Sequence, residues 1–124
     1  MDRHRVLVVD DYPDSAEVVR TLIELLGHEV RIASSGRAAL AEAYGFAPTI
    51  VILDLGLPDI NGCEVARELR SRRGGHHVHI AALSGWDHHD KRRAALSAGC
   101  DQYVVKPASA TKIRTILSSV TLPS

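Results

Sequence analysis

Ile50-Val51-Ile52-Leu53-Asp54-Leu55-Gly56-Leu57-Pro58 is the stretch that decides the fold. Ile50 to Leu53 is an unbroken apolar run that meets a carboxylate at Asp54. Such a run, with no polar alternation, reads as a strand buried on both faces, the pattern of a parallel sheet covered by helices. Gly56 and Pro58 mark the change from strand to loop. In open α/β sheets the loops at the carboxyl ends of strands build the site. On this stretch alone Asp54 has two readings: the punctuation of a strand end, or the centre of a site.

The same signature occurs upstream. Arg5–Asp10 contains Val6-Leu7-Val8-Val9 and closes on Asp10-Asp11. Pro13 suits the first turn of a helix, with Tyr12 or Asp11 at the cap. The helix is predicted over Asp14–Leu26, with Val18, Leu22, Leu25 and Leu26 as its core-facing stripe and Gly27 as its stop. Glu29–Ala33 alternates and reads as an edge strand. Ser35 is a candidate N-cap for the Ala-rich helix Arg37–Tyr44, which Ala47-Pro48 breaks.

Downstream, Asp59-Ile60-Asn61-Gly62 is a turn signal. A helix follows over about Cys63–Arg72, burying Val65, Ala66 and Leu69 and stopping at Gly74-Gly75. Val78–Leu83 is a fourth strand that closes on Ser84-Gly85. Asp87–Ala98 is a helix with a polar first half, predicted to pack loosely. Gln102–Val105 is a fifth strand, followed by Lys106-Pro107. The helix Ser109–Val120 carries Ile113, Ile116, Leu117 and Val120 on one face. The alternation is five strands and five helices, and right-handed crossovers wind it into a doubly wound parallel sheet.

Composition fits a single domain over residues 1–124. The hydrophobic fraction of 45% is ordinary for a globular chain. No apolar run approaches a membrane span and the N-terminus lacks a signal-peptide layout, so the expected location is cytoplasmic. Cys63 and Cys100 read as reduced thiols. Net charge is zero, although residues 1–62 carry ten acidic and five basic side chains and residues 63–124 the reverse. That balance argues against direct nucleic-acid binding, whose phosphate contacts need a basic excess.

The strand ends carry Asp10-Asp11, Asp54, Ser84 and Lys106 in turn. With strand order 2-1-3-4-5, the first and third strands are neighbours at the switch-point crevice. Three carboxylates then share one pocket, which like-charge repulsion disfavours unless a cation is supplied. A hard divalent ion such as Mg²⁺ suits oxygen ligands of this kind. Lys106 offers a point charge and Ser84 a hydroxyl to phosphoryl oxygens, and a carboxylate can act as nucleophile. This is equipment for phosphoryl transfer.

The chain resembles the receiver domains of two-component response regulators. The match rests on Val-Val-Asp10-Asp11, Leu-Asp54-Leu-Gly-Leu-Pro58, Ala82-Leu-Ser84-Gly and Asp101-Gln-Tyr103-Val-Val-Lys106-Pro107, four motifs in order at strand ends. The resemblance implies a CheY-like, flavodoxin-like three-layer sandwich. It implies that Asp54 is the phosphoacceptor and that Asp11 is the direct carboxylate ligand of Mg²⁺, with Asp10 acting largely through water. The backbone carbonyl of Gly56 completes the protein ligands. Ser84 takes the place of the switch hydroxyl and Lys106 that of the phosphate-binding lysine. Tyr103 matches the aromatic that turns inward when the hydroxyl is recruited. The Lys106–Pro107 bond is expected to be cis. The implied partners are a sensor histidine kinase or histidine phosphotransfer protein, and a downstream effector. The chain is then no enzyme on other substrates, but a domain that catalyses its own phosphorylation and dephosphorylation. Gly56 and Trp86 fall where the family's side chains flank the path of attacking water.

Rival readings attach to the same residues. The fold also serves phosphorylation-independent interaction modules, and an aspartate nucleophile also serves small phosphate-ester hydrolases. His76, His77, His79, His88 and His89 invite a transition-metal reading. No pair among them has i, i+4 helical spacing, so solvated loop and helix-start roles are expected. Arg67, Arg70, Arg72 and Arg73 read as a solvated basic helix end.

Overall fold

The computed structural model describes residues 3–72 and 75–120. Strand β1 is Arg5–Val9, β2 Glu29–Ala33, β3 Ile50–Asp54, β4 His79–Ser84 and β5 Gln102–Val105. Helix α1 is Pro13–Leu25, α2 Gly36–Phe46, α3 Gly62–Ser71, α4 His89–Ser97 and α5 Ala110–Ser118, with a 3-10 turn at Gly75–His77. All strand pairs are parallel, in the order β2-β1-β3-β4-β5.

The period of two along each strand divides the core. Leu7, Val9, Val51, Leu53, Ile80 and Ala82 face α2, α3 and α4, where Ala39, Val65, Ala66, Leu69 and Ala95 meet them. Val6, Val8, Ile50, Ile52, Ala81 and Leu83 face α1 and α5, where Val19, Ile23, Ile113, Ile116 and Leu117 close the second layer. All five residues of β3 are buried, as an unbroken apolar run in a sheet covered on both sides requires.

The register carries the site. Val9 pairs with Leu53, Asp54 with Leu83, and Ser84 with Val105. Asp10, Asp54, Ser84 and Lys106 therefore emerge along one rim of the sheet.

The first helix corrects the expected stripe. Ala16, Val19 and Ile23 are its buried residues, whereas Val18 and Leu25 are 60% and 79% exposed. Leu22 and Leu26 are only partly buried. The segment holds two apolar stripes about a third of a turn apart, and periodicity does not say which one meets the sheet. Pro13 at the first position and Tyr12 at the cap agree with the sequence pattern. Ser35 caps α2 by accepting the Ala38 N–H. That helix runs beyond Tyr44 to Phe46 and ends on Ala47 in the left-handed region, at φ 51°. The third helix starts one residue before Cys63, because Asn61 caps it through the Cys63 N–H. The fourth starts at His89, capped by Nδ1 of His88 accepting the Asp90 N–H. Ala95 is its one buried residue, in keeping with loose packing. Arg73, Gly74 and the His76 side chain lie outside the described residues.

Both cysteines are free thiols. Burial pushes the Cys100 thiol up to about 12. The Lys106–Pro107 peptide bond is cis.

Candidate functional site

Asp54 ends β3 at 5% exposure. Its two carboxylate oxygens have different partners. Oδ1 accepts the Gly56 N–H at 2.9 Å, and Oδ2 accepts from Lys106 Nζ at 2.7 Å. A buried carboxylate is costly unless paired and hydrogen-bonded, and here it is both. The lysine reaches it from the far side of β4, while its own side chain stays 40% exposed. Its charge can therefore follow an incoming anion.

Asp10 is also buried, one residue past β1. Its Oδ1 accepts the Tyr12 N–H at 2.9 Å and its Oδ2 accepts the Ser15 hydroxyl. The first turn of α1 thus holds this carboxylate in one orientation. Asp11 is exposed. Asp10, Asp11 and Asp54 each offer a carboxylate oxygen, and these atoms lie within 4.8 Å of one another. Among the described residues this is the one grouping of three or more side chains suited to a metal ion. Three carboxylates against one ammonium leave two negative charges, matching a divalent cation. The all-oxygen donor set selects a hard ion.

Ser84, at the end of β4, is 5% exposed, and its Oγ accepts the Trp86 N–H at 3.2 Å. In that bond the hydroxyl is the acceptor, and a hydroxyl keeps one hydrogen to donate. Tyr103 on β5 is buried, and its Oη donates to the Trp86 carbonyl at 2.5 Å. The aromatic therefore points inward, and the segment after Ser84 is held from both sides. Trp86 itself is 67% exposed beside this rim.

Residues 6–118 match the family model of the response regulator receiver domain. The chain belongs to the response regulator receiver family. This receiver domain is 39% identical over 108 residues to the probable transcriptional regulatory protein TcrX of Mycobacterium tuberculosis, covering 87% of this chain and 45% of that protein. It is 40% identical over 102 residues to the transcriptional regulatory protein KdpE of the same species, covering 82% and 44%. The receiver domain thus spans under half the length of these curated relatives. Among solved structures it is similar to the chemotaxis response regulator CheY4 of Vibrio cholerae, with a TM-score of 0.90 and 26% identity over 97% of this chain and 100% of that one. A CheY-like receiver domain from Methylobacillus flagellatus gives a TM-score of 0.87 at 29% identity over 97% and 100%. The sheet order and the family match together make the chain a receiver domain of two-component signalling.

Asp10, Asp11, Asp54, Ser84 and Lys106 sit on this rim, with Tyr103 directly behind it. The histidines do not gather. His79 is bonded to Gln102 through Nε2, and His88 caps α4. His77 lies in the 3-10 turn, so it shares no strand face with His79.

Three contributors carry no local sequence signal. Ser15 holds Asp10. Arg92 on α4 places its guanidinium 4.7 Å from the centre of the Tyr103 ring and pairs with Asp87 at 3.2 Å. Arg70, expected in a solvated basic end, instead bonds Asp101 and the carbonyls of Gly75, Val78 and Gly99. Ser15 and Arg92 meet Asp10 and Asp87 five positions away, whereas the Tyr103 ring beside Arg92 and the Gly99 and Asp101 partners of Arg70 are brought in by the fold.

Proposed function

We propose that Asp54 is the phosphoacceptor of this receiver domain, and that the phosphoryl group comes from a phosphohistidine on a sensor histidine kinase or a histidine phosphotransfer protein. The observation that carries this reading is the buried Asp54 carboxylate 2.7 Å from Lys106 Nζ, in one cluster with Asp10 and Asp11. An Asp54 oxygen attacks phosphorus in line as the P–N bond breaks and imidazole leaves. Lys106 moves from the carboxylate it neutralises to a phosphoryl oxygen, and Ser84 donates its hydroxyl hydrogen to another.

Asp11 and Asp54, with Asp10 behind them and the Gly56 carbonyl, would hold Mg²⁺. When bound, Mg²⁺ supplies charge neutralisation on the transferring group. On this reading residues 1–124 act as one receiver unit that catalyses its own phosphorylation and dephosphorylation and works in the cytoplasm with its donor. Tyr103 relays the state of Ser84 to the surface of α4, β5 and α5, where an effector reads it. Neither a direct nucleic-acid contact nor a substrate pocket is required.

Labelling with acetyl phosphate tests the assignment. The wild-type chain is expected to take up an acid-labile phosphoryl group in the presence of Mg²⁺, and Asp54→Asn to take up none. Undiminished labelling of Asp54→Asn would overturn it.

A further inference from the structure

The loop from Leu55 to Asn61 joins β3 to α3 and carries Gly56 past the site. Its far half is fastened to a different helix. Asp59 Oδ1 accepts the Gly36 N–H at 2.9 Å, and its Oδ2 accepts the Arg37 N–H at 2.9 Å. These are two of the opening donors of α2, which lack intrahelical partners. Ser35 satisfies a third, at Ala38. The next loop residue fills the space beside the same helix end. A Cβ on Gly36 would collide with Ile60 Cγ1, so only a glycine admits Ile60 here. The near half of the loop is held by Asp54 itself, through the Gly56 N–H, and by Leu55 N–H donating to the Leu83 carbonyl. At its end a Cβ on Gly62 would lie 2.8 Å from Leu55 Cα, so the loop closes tightly on its own start.

We propose that Asp59 is a positioning residue for the metal site, bolting the β3–α3 loop to the N-terminus of α2 and thereby holding Gly56 beside the Asp10, Asp11 and Asp54 carboxylates. The inference rests on the reading of that cluster as a Mg²⁺ site. Gly56 is followed by Leu57 and Pro58, and a glycine-containing loop loses much conformational freedom when ordered. With Asp59 in place, that freedom is lost on folding. Without it, ion binding must order the loop and loses affinity accordingly. The two N–H bonds also hold the Asp59 carboxyl well below the usual range, at about 2, so the bolt stays charged wherever the domain works.

A simple helix cap would share the two hydrogen bonds but not the link to Gly56, and Ser35 provides that comparison. Mg²⁺ is titrated into unphosphorylated wild type, Asp59→Ala, Asp59→Asn and Ser35→Ala, by calorimetry, with thermal unfolding of each in parallel. Asp59→Ala is expected to bind Mg²⁺ about three- to ten-fold more weakly, the scale of an unordered loop residue or so. Asp59→Asn, which keeps one acceptor oxygen, should fall between it and wild type. Ser35→Ala should unfold at a lower temperature with wild-type Mg²⁺ affinity. Wild-type affinity in both folded Asp59 variants would overturn the positioning role while leaving the metal site intact. Absence of Mg²⁺ binding by wild type would instead overturn the metal site, and this inference with it.

Discussion

Tyr103 Oη donates to the Trp86 carbonyl at 2.5 Å while the Trp86 N–H donates to Ser84 Oγ at 3.2 Å. The Ser84 hydroxyl and the Tyr103 ring are thus tied to the same residue, one through its N–H and one through its C=O. Arg92 stacks on Tyr103 from α4 and ties this pair to the helix. Tyr103→Phe is expected to lower stability by about 1 kcal/mol, the net worth of one hydrogen bond. Arg92→Ala is expected to cost about 0.5–1 kcal/mol through the lost stacking. Trp86 is the chain's one tryptophan, so its emission reports the segment directly. Both variants should shift Trp86 emission and widen the change seen when a phosphoryl mimic binds. Emission unchanged in both would show that Tyr103 and Arg92 do not hold the segment.

Lys106 has two consequences of opposite sign. Its ammonium lies 2.7 Å from Asp54 Oδ2 and cancels part of the charge that draws a cation. Lys106→Ala should therefore bind Mg²⁺ more tightly than wild type, since two negative charges become three. On the proposed function the same variant would lack a cation for the transferring phosphoryl group, and phosphorylation by acetyl phosphate should slow about 100-fold. Calorimetry and a labelling time course check the two halves separately. Weaker Mg²⁺ binding in the variant would mean that Lys106 organises the cluster rather than neutralising it.

The two apolar faces of α1 give unequal responses to truncation. Ile23 is fully buried, and Ile23→Ala should cost about 2–5 kcal/mol in urea denaturation. Leu25 is 79% exposed, and Leu25→Ala should stay within about 0.5 kcal/mol of wild type. Comparable losses at the two positions would restore the stripe that periodicity alone suggests.

That helix shows where sequence stops specifying structure. β1, β3, β4 and β5 are legible because an apolar run ending in a carboxylate, serine or lysine fits a buried strand that opens onto a polar rim, and β2 is legible by its alternation. Connection rules make the sheet parallel and doubly wound, its order 2-1-3-4-5 enters as a condition that the structure meets, and the candidate site then follows from the strand ends. Rotation of α1 about its axis is not legible, because Val18 and Leu25 are as apolar as Val19 and Ile23. Asp59 resembles an ordinary turn residue because its partners, Gly36 and Arg37, lie more than twenty positions upstream, with |i−j| of 23 and 22. Arg70 resembles a solvated side chain for the same reason, since its Gly99 and Asp101 partners lie on a distant segment. Long polar side chains find their partners only once the elements are packed, so no local pattern announces them.

His28 makes stability depend on pH below neutrality. Its Nδ1 accepts the His4 N–H at 2.9 Å, a bond that protonation of Nδ1 would abolish. Burial first, then the nearby His4 and Arg3, lower its pKa from the ordinary value of 6.5. The unfolded chain therefore takes up a proton at His28 more readily than the folded one. Between the folded value and 6.5 the unfolded state binds more protons, so unfolding free energy rises with pH. Stability contributed by neutral His28 is full above that window and declines as pH falls through it. In His28→Asn the side-chain carbonyl can accept the same N–H without titrating. Unfolding free energies of wild type and His28→Asn, measured from about pH 7.5 to about pH 5, should converge or cross as pH falls, because only wild type loses this contribution. Parallel curves across that range would show that His28 does not couple protonation to folding.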